Sequence, residues 1–104
     1  MTIIWLDEAA EDLEQIYDFY FVKSVNAATQ IYNTILEEII ILETHPFIAA
    51  IEPSLIDKKL EYRSLVTKNG LFKVIYHVAD NEIFITTIWC CRSNPKVLLD
   101  KGRF

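Results

Sequence analysis

Glu61-Tyr62-Arg63-Ser64-Leu65-Val66, Leu71-Phe72-Lys73-Val74-Ile75-Tyr76-His77-Val78 and the run Ile83 to Trp89 are separated by Asn69-Gly70 and Asp80-Asn81, and this stretch decides the fold. β-Branched and aromatic residues dominate each run, while Asn, Asp and Gly tolerate the positive φ that tight turns require. The runs read as three strands near 60–66, 71–78 and 83–91, joined as a meander.

Upstream of the meander the period changes. Thr2 to Trp5 is short, apolar and β-branched, and reads as a first strand. Asp7 follows as a helix cap, with Glu8, Glu11 and Asp12 where the positive end of a helix dipole favours carboxylates. Ala9, Leu13, Ile16, Tyr17 and Tyr20 then recur at helical spacing, with Asp12, Glu14 and Asp18 elsewhere on the wheel. Ser24 caps a second helix whose apolar positions are Ala28, Ile31, Ile35, Ile39 and Leu42, and His45-Pro46 ends it. Phe47 to Lys59 has no clear period and reads as a connection. The order β-α-α-β-β-β gives an α+β fold: one domain over residues 1–104, with a helical hairpin packed on one face of a mostly antiparallel, twisted sheet.

Composition agrees with one compact domain: 104 residues, 52% of them hydrophobic, are enough for a modest core. Apolar runs such as Ile39 to Leu42 are far below the ~20 residues of a membrane span, so a cytoplasmic protein with no membrane partner is expected. Cys90 and Cys91 are adjacent and His45 and His77 isolated, which suits neither a framework disulfide nor a metal site. No phosphate loop, nucleophile motif or cofactor signature is present, so neither cofactor nor metal is expected. Charge is divided unevenly: residues 1–57 hold eleven Asp/Glu and one Lys (−10), and residues 58–104 hold nine Lys/Arg and four Asp/Glu (+5), which together give −5. An anionic partner for the second half is one consequence; a plainly solvated surface is the other.

Register decides which side chains share a face, because a slip of one residue inverts a strand. A two-residue loop at Asn69-Gly70 places Arg63 among Phe72, Val74 and Tyr76, burying a charge. A three-residue loop, Lys68-Asn69-Gly70 with Gly70 at positive φ, aligns Tyr62 and Val66 with that apolar set and is the preferred reading. A two-residue turn at Asp80-Asn81 pairs Val78 with Ile83 and Tyr76 with Ile85, adding Ile83, Ile85 and Trp89 to the core face. The other face then carries Arg63, Lys73, His77, Thr86, Cys90 and Arg92, interspersed with Ile75, Phe84 and Ile88. An open face with three permanent cations is expected there, a dock for an anionic or amphipathic partner.

At these residues the sequence resembles the RelE/ParE superfamily, the toxins of bacterial type II toxin-antitoxin modules. The likeness spans nearly the whole chain. It rests on Trp5 with Ala9 and Leu13, on Leu42-x-x-x-Pro46, on Tyr62-Arg63-Ser64-Leu65, on Phe72-x-Val74-Ile75-Tyr76 with Asp80 following, and on Arg92-x-Asn94-Pro95. The resemblance implies growth arrest relieved by a cognate antitoxin. Relatives of the RelE kind cut messenger RNA in the ribosome, and those of the ParE kind poison DNA gyrase without cleaving anything themselves.

The nuclease alternative makes Arg63, Lys73, His77 and Arg92 its candidate catalytic residues. It is weakened because Lys73 stands where such nucleases carry an arginine and because Ser93-Asn94-Pro95 offers no acid or base. Whether the chain is an enzyme stays open at this point, with the ParE-like reading ahead. For antitoxin or target binding the candidates are Arg63, Lys73, Arg92 and Lys96, together with the tail Lys96 to Phe104. Lys101 to Phe104 is a candidate for disorder alone and order on a partner. A non-toxic relative that binds an antitoxin-like partner, or forms a homodimer through its sheet edge, is the further alternative.

Overall fold

The structure, a computed structural model, describes every residue except Asn94 and Lys101, and Pro95 and Asp100 by backbone alone. Its elements are β1 (Thr2–Trp5), α1 (Asp7–Phe21), α2 (Val25–Ile40), β2 (Ala50–Ile51), β3 (Arg63–Val66), β4 (Phe72–Ala79), β5 (Glu82–Cys90) and α3 (Pro95–Asp100), with single 3₁₀ turns at Ile41–Glu43 and Pro53–Leu55. The sheet order is β1-β5-β4-β3-β2. The meander is antiparallel as expected, but β1 lies parallel to β5, with Thr2 opposite Glu82 and Trp5 opposite Ile85, so the sheet is mixed.

Local chemistry explains the helix boundaries. Leu6, not Asp7, is the N-cap residue of α1, and Asp7 and Glu8 occupy the first turn, where their charge meets the helix dipole. Ser24 caps α2 as expected: its hydroxyl accepts the Ala27 N–H at 3.2 Å. Ala9, Leu13, Ile35, Ile39 and Leu42 then press onto Phe72, Val74, Tyr76, Ile83 and Ile85, and this layer between helices and sheet is the main core. Tyr76 lies fully buried in it, and its hydroxyl donates to the Pro46 carbonyl at 2.8 Å.

Two registers shape the sheet, and each corrects an expectation. The β3–β4 turn spans Lys68 to Leu71, closed by Thr67 N–H to the Phe72 carbonyl (2.9 Å) and Gly70 N–H to the Thr67 carbonyl (2.8 Å). Gly70 has φ +71°, but the turn is one residue longer than the three-residue loop, so Arg63 pairs with Tyr76 and Leu65 with Val74. Arg63 thus joins the helix-side face, and Tyr62 goes to the other.

The β4–β5 turn does pair Val78 with Ile83 and Tyr76 with Ile85, with Asp80 and Asn81 both at positive φ. Beyond it, Ile75 pairs with Thr87, which leaves Thr86 as an extra residue in β5: a β-bulge. The bulge reverses every later side chain. Ile88 and Cys90, expected outside, pack on the helix-side core, and Trp89, expected inside, turns to the opposite face.

That opposite face is not bare. Leu55, Tyr62, Ile75, Trp89 and Leu98 form a second buried cluster, with Phe104 packed against it. The connection before β3 and the carboxyl-terminal α3 therefore cover part of the sheet. The tail expectation is corrected as well, since Arg103 and Phe104 are both half-buried against the body; Lys101 lies outside the described residues.

Replacing Tyr76 by Phe leaves the Pro46 carbonyl without its partner and is expected to lower unfolding free energy by about 1 kcal/mol. Denaturant unfolding of the two proteins at one temperature checks this; an unchanged midpoint would show that the bond carries no net stability.

Candidate functional site

The three cations expected on one surface are separated. Arg63 points to the helix side, at the sheet margin. Its Nη1 donates to the Ala49 carbonyl (2.8 Å), its Nη2 pairs with Glu61 Oε1 (2.8 Å), and its guanidinium lies 5.2 Å from the centre of the Phe47 ring. These partners, available because β2 is short and the chain before it folds back, make a charge on the core side tolerable.

Lys73 lies on the opposite face, paired across strands with Val66 and Trp89. Its Nζ is 2.7 Å from Glu52 Oε1. The Glu52 carboxylate is only 3% exposed and also accepts the Ser54 N–H (3.0 Å) and hydroxyl (2.7 Å). Burial alone would raise the Glu52 pKa, but the hydrogen bonds from Lys73 and Ser54 prevail and bring it from 4.5 down to about 2. A carboxylate so stabilised is a poor proton acceptor, so Glu52, Lys73 and Ser54 form a structural ion pair rather than a base with its nucleophile. The pair borders a cleft of about 250 Å³ that Trp89, Cys91 and Leu98 also line. Desolvation outweighs nearby Lys73 and pushes the Cys91 thiol above its ordinary pKa of 9.0, so it is not an activated thiolate at neutral pH.

His77 is held between rings. It stacks on Phe84 (5.0 Å between centroids, 15° between planes) and meets Tyr62 edge-on at 5.6 Å. Its Nδ1 is buried with no hydrogen-bond partner among the described residues. Desolvation lowers its pKa from 6.5, so at neutral pH it is an uncharged aromatic in a row that continues from Tyr62 to Phe104 (5.0 Å).

Arg92 is exposed just beyond β5, and Lys96 is exposed on α3. Asn94, which lies between them in the resemblance motif, is outside the described residues. Of the predicted set, Arg92 and Lys96 are exposed, and Arg63 and Lys73 face opposite ways, Arg63 paired with Glu61 and Lys73 with Glu52.

Sequence reasoning missed one heavily bonded cation of the second half. Arg103 donates through Nη1 and Nη2 to the two oxygens of Asp12 (2.6 and 3.0 Å), and its Nε lies 2.8 Å from Glu8 Oε2. The hydrogen bonds that Arg103 donates to Asp12 raise its pKa further, against the effect of burial. Asp12 itself is only 6% exposed, although it was expected on the polar side of α1. A signal existed: Asp12 stands three residues after Ala9 and four before Ile16, inside the apolar stripe, where a carboxylate needs a buried partner.

With this geometry, the sequence profile described as "ParE toxin of type II toxin-antitoxin system, parDE" matches residues 3–95. The chain belongs to the ParE toxin family of type II toxin-antitoxin systems. Among solved structures, a chain of the chromosomal ParDE TA system from P. aeruginosa is similar, with a TM-score of 0.74 and 28% identity, covering 86% of this chain and 95% of that one. Comparison with curated protein sequences finds no match. Among the described residues no helix is long and apolar enough to cross a membrane.

The Glu52 carboxyl has a folded pKa near 2 and an unfolded one near 4.5, so its stabilisation is complete above about pH 4.5 and is lost as pH falls toward 2. Thermal unfolding between pH 2 and 7 should show this slope in the native protein and a flatter one in Glu52→Gln. Lys73→Ala leaves the buried carboxylate unpaired and should cost about 3 kcal/mol at pH 7. Equal slopes in native protein and Glu52→Gln would remove the ion pair from the stability account.

Proposed function

We propose that this ParE-family toxin arrests growth by binding DNA gyrase, not by cutting ribosome-bound messenger RNA, and that a cognate antitoxin relieves the arrest in the cytoplasm. The observation that carries the choice is the dispersal of the nuclease candidates. Arg63 is turned to the helix side, Lys73 is bound to Glu52, and His77 is an uncharged ring stacked on Phe84. General acid-base cleavage of RNA needs a base, an acid and a charge-stabilising cation converging on one phosphate. Target poisoning needs only a surface.

Arg92 and Lys96 are the exposed cations best placed for that surface, so of the four binding candidates these two are retained for target contact and Arg63 and Lys73 are assigned to stability. For the antitoxin, the exposed apolar residues are the natural cover. Phe19, Phe21, Val22 and Val25 crowd the tip of the helical hairpin, and Phe47, Ile48, Ile51, Ile56 and Leu60 lie about the open edge of β2; Val22 is 86% and Ile56 74% exposed, more than a lone surface residue explains.

Induced expression without an antitoxin is expected to stop growth, and normal growth at verified protein levels would overturn the toxin assignment for this chain. With purified protein, supercoiling of relaxed plasmid by gyrase and ATP should be inhibited, while messenger RNA on translating ribosomes stays intact; the converse result favours the nuclease alternative. The double substitution Arg92→Ala, Lys96→Ala should raise the half-inhibitory concentration about tenfold or more, equivalent to ~1.4 kcal/mol, with an unchanged melting temperature.

A further inference from the structure

The last residues of the chain are tied to both sides of the sheet. β1 covers β5 only from Glu82 to Ile85, and past that point no strand among the described residues lies along the outer edge of β5. Asp12 takes the place of a neighbour there: its Oδ2 accepts the Ile88 N–H at 3.1 Å. Arg103 closes over this contact, gripping Asp12 with both Nη atoms, Glu8 with Nε and the Thr87 hydroxyl with Nη1 (3.2 Å). Its side chain is only 13% exposed. On the far side of the sheet, Phe104 meets Tyr62 edge-on, and Leu98 of α3 is 2% exposed within the second cluster.

α3 has six residues, too few for a helix to persist by itself, so its place depends on what anchors it. Leu98 and Phe104 supply apolar anchorage, which has little directional content. The forked guanidinium on Asp12 has it: two parallel bonds fix an orientation, and a buried arginine that loses them is strongly unfavourable.

We propose that Arg103 is a positioning residue, whose clasp on Asp12 and Glu8 fastens α3 to the sheet and thereby fixes how Lys96 is presented relative to Arg92 at the end of β5. The inference rests on the reading of Arg92 and Lys96 as the target-binding corner and adds to it the device that holds the corner in shape. The acidic α1 thus acts on the basic corner from across the sheet.

The test uses the full chain as Arg103→Ala, Arg103→Lys and Arg92→Ala/Lys96→Ala. Amide hydrogen exchange and inhibition of gyrase supercoiling on relaxed plasmid are read for each. In Arg103→Ala the Leu98 and Leu99 amides should exchange about tenfold faster or more while Ile83 and Ile85 keep their protection, and the half-inhibitory concentration should rise about tenfold. Arg103→Lys keeps the charge but not the fork, so it should fall between Ala and the native protein on both readouts. Unchanged protection of α3, or faster exchange there with unchanged inhibition, overturns the proposal. Should Arg103→Ala expose Ile83 and Ile85 as well, Arg103→Lys decides: local loosening of α3 with weaker inhibition upholds the proposal, and anything else overturns it. Full inhibition by Arg92→Ala/Lys96→Ala instead overturns the target-binding corner, while the exchange arm still reports whether Arg103 fastens α3.

Discussion

β5 carries one residue more than β4 matches between Ile75 and Tyr76, and the rest of the molecule is arranged around that excess. Before Thr86, the strand offers Ile83 and Ile85 to the helices. After it, Ile88 and Cys90 take over the helix side, and Thr87 and Trp89 face the other way. A regular strand would have put Trp89 beneath the helices. With the bulge, its indole joins Ile75, Tyr62 and Leu55, and the second face gains a buried cluster that α3 and Phe104 can close over.

The covering of both faces accounts for the fate of the charges. An antiparallel sheet with one face in water can display lysines and arginines freely, but a sheet covered on both sides must pair them. Lys73 meets Glu52, Arg63 meets Glu61 and the Ala49 carbonyl, and Arg103 meets Asp12 and Glu8. Two of the carboxylates involved, Glu52 and Asp12, are themselves almost wholly buried. Part of the acidic excess of the first half is therefore spent internally on cations of the second half, which ties together segments far apart in the chain; Arg92 and Lys96 keep exposed side chains.

Much of this architecture was legible in the sequence because it is set locally. The Ser24 cap, the helical stripes of α1 and α2, the Asp80-Asn81 turn with its pairing of Val78 to Ile83, and the positive φ of Gly70 each depend on a few neighbouring residues. The family likeness was carried by short local motifs too, from Trp5 with Ala9 and Leu13 to Arg92-x-Asn94-Pro95, and the family match spans residues 3–95. The candidate site was far less legible. A single residue in the β3–β4 turn moved Arg63 to the helix side, and a single bulged residue moved Trp89, Ile88 and Cys90 across the sheet, because strand periodicity carries no memory past such a step.

The helical hairpin, the three-stranded meander and the division of charge between halves are consequences of spacing and composition, and so can be read along the chain. The parallel pairing of β1 with β5, the pairing of Lys73 with Glu52 and the return of Arg103 to Asp12, 91 residues away, emerge once the elements are packed together. The physical reason is that hydrogen-bond and ion-pair partners are chosen by proximity in space once burial has made an unpaired charge costly, and no local pattern records which distant group will be there.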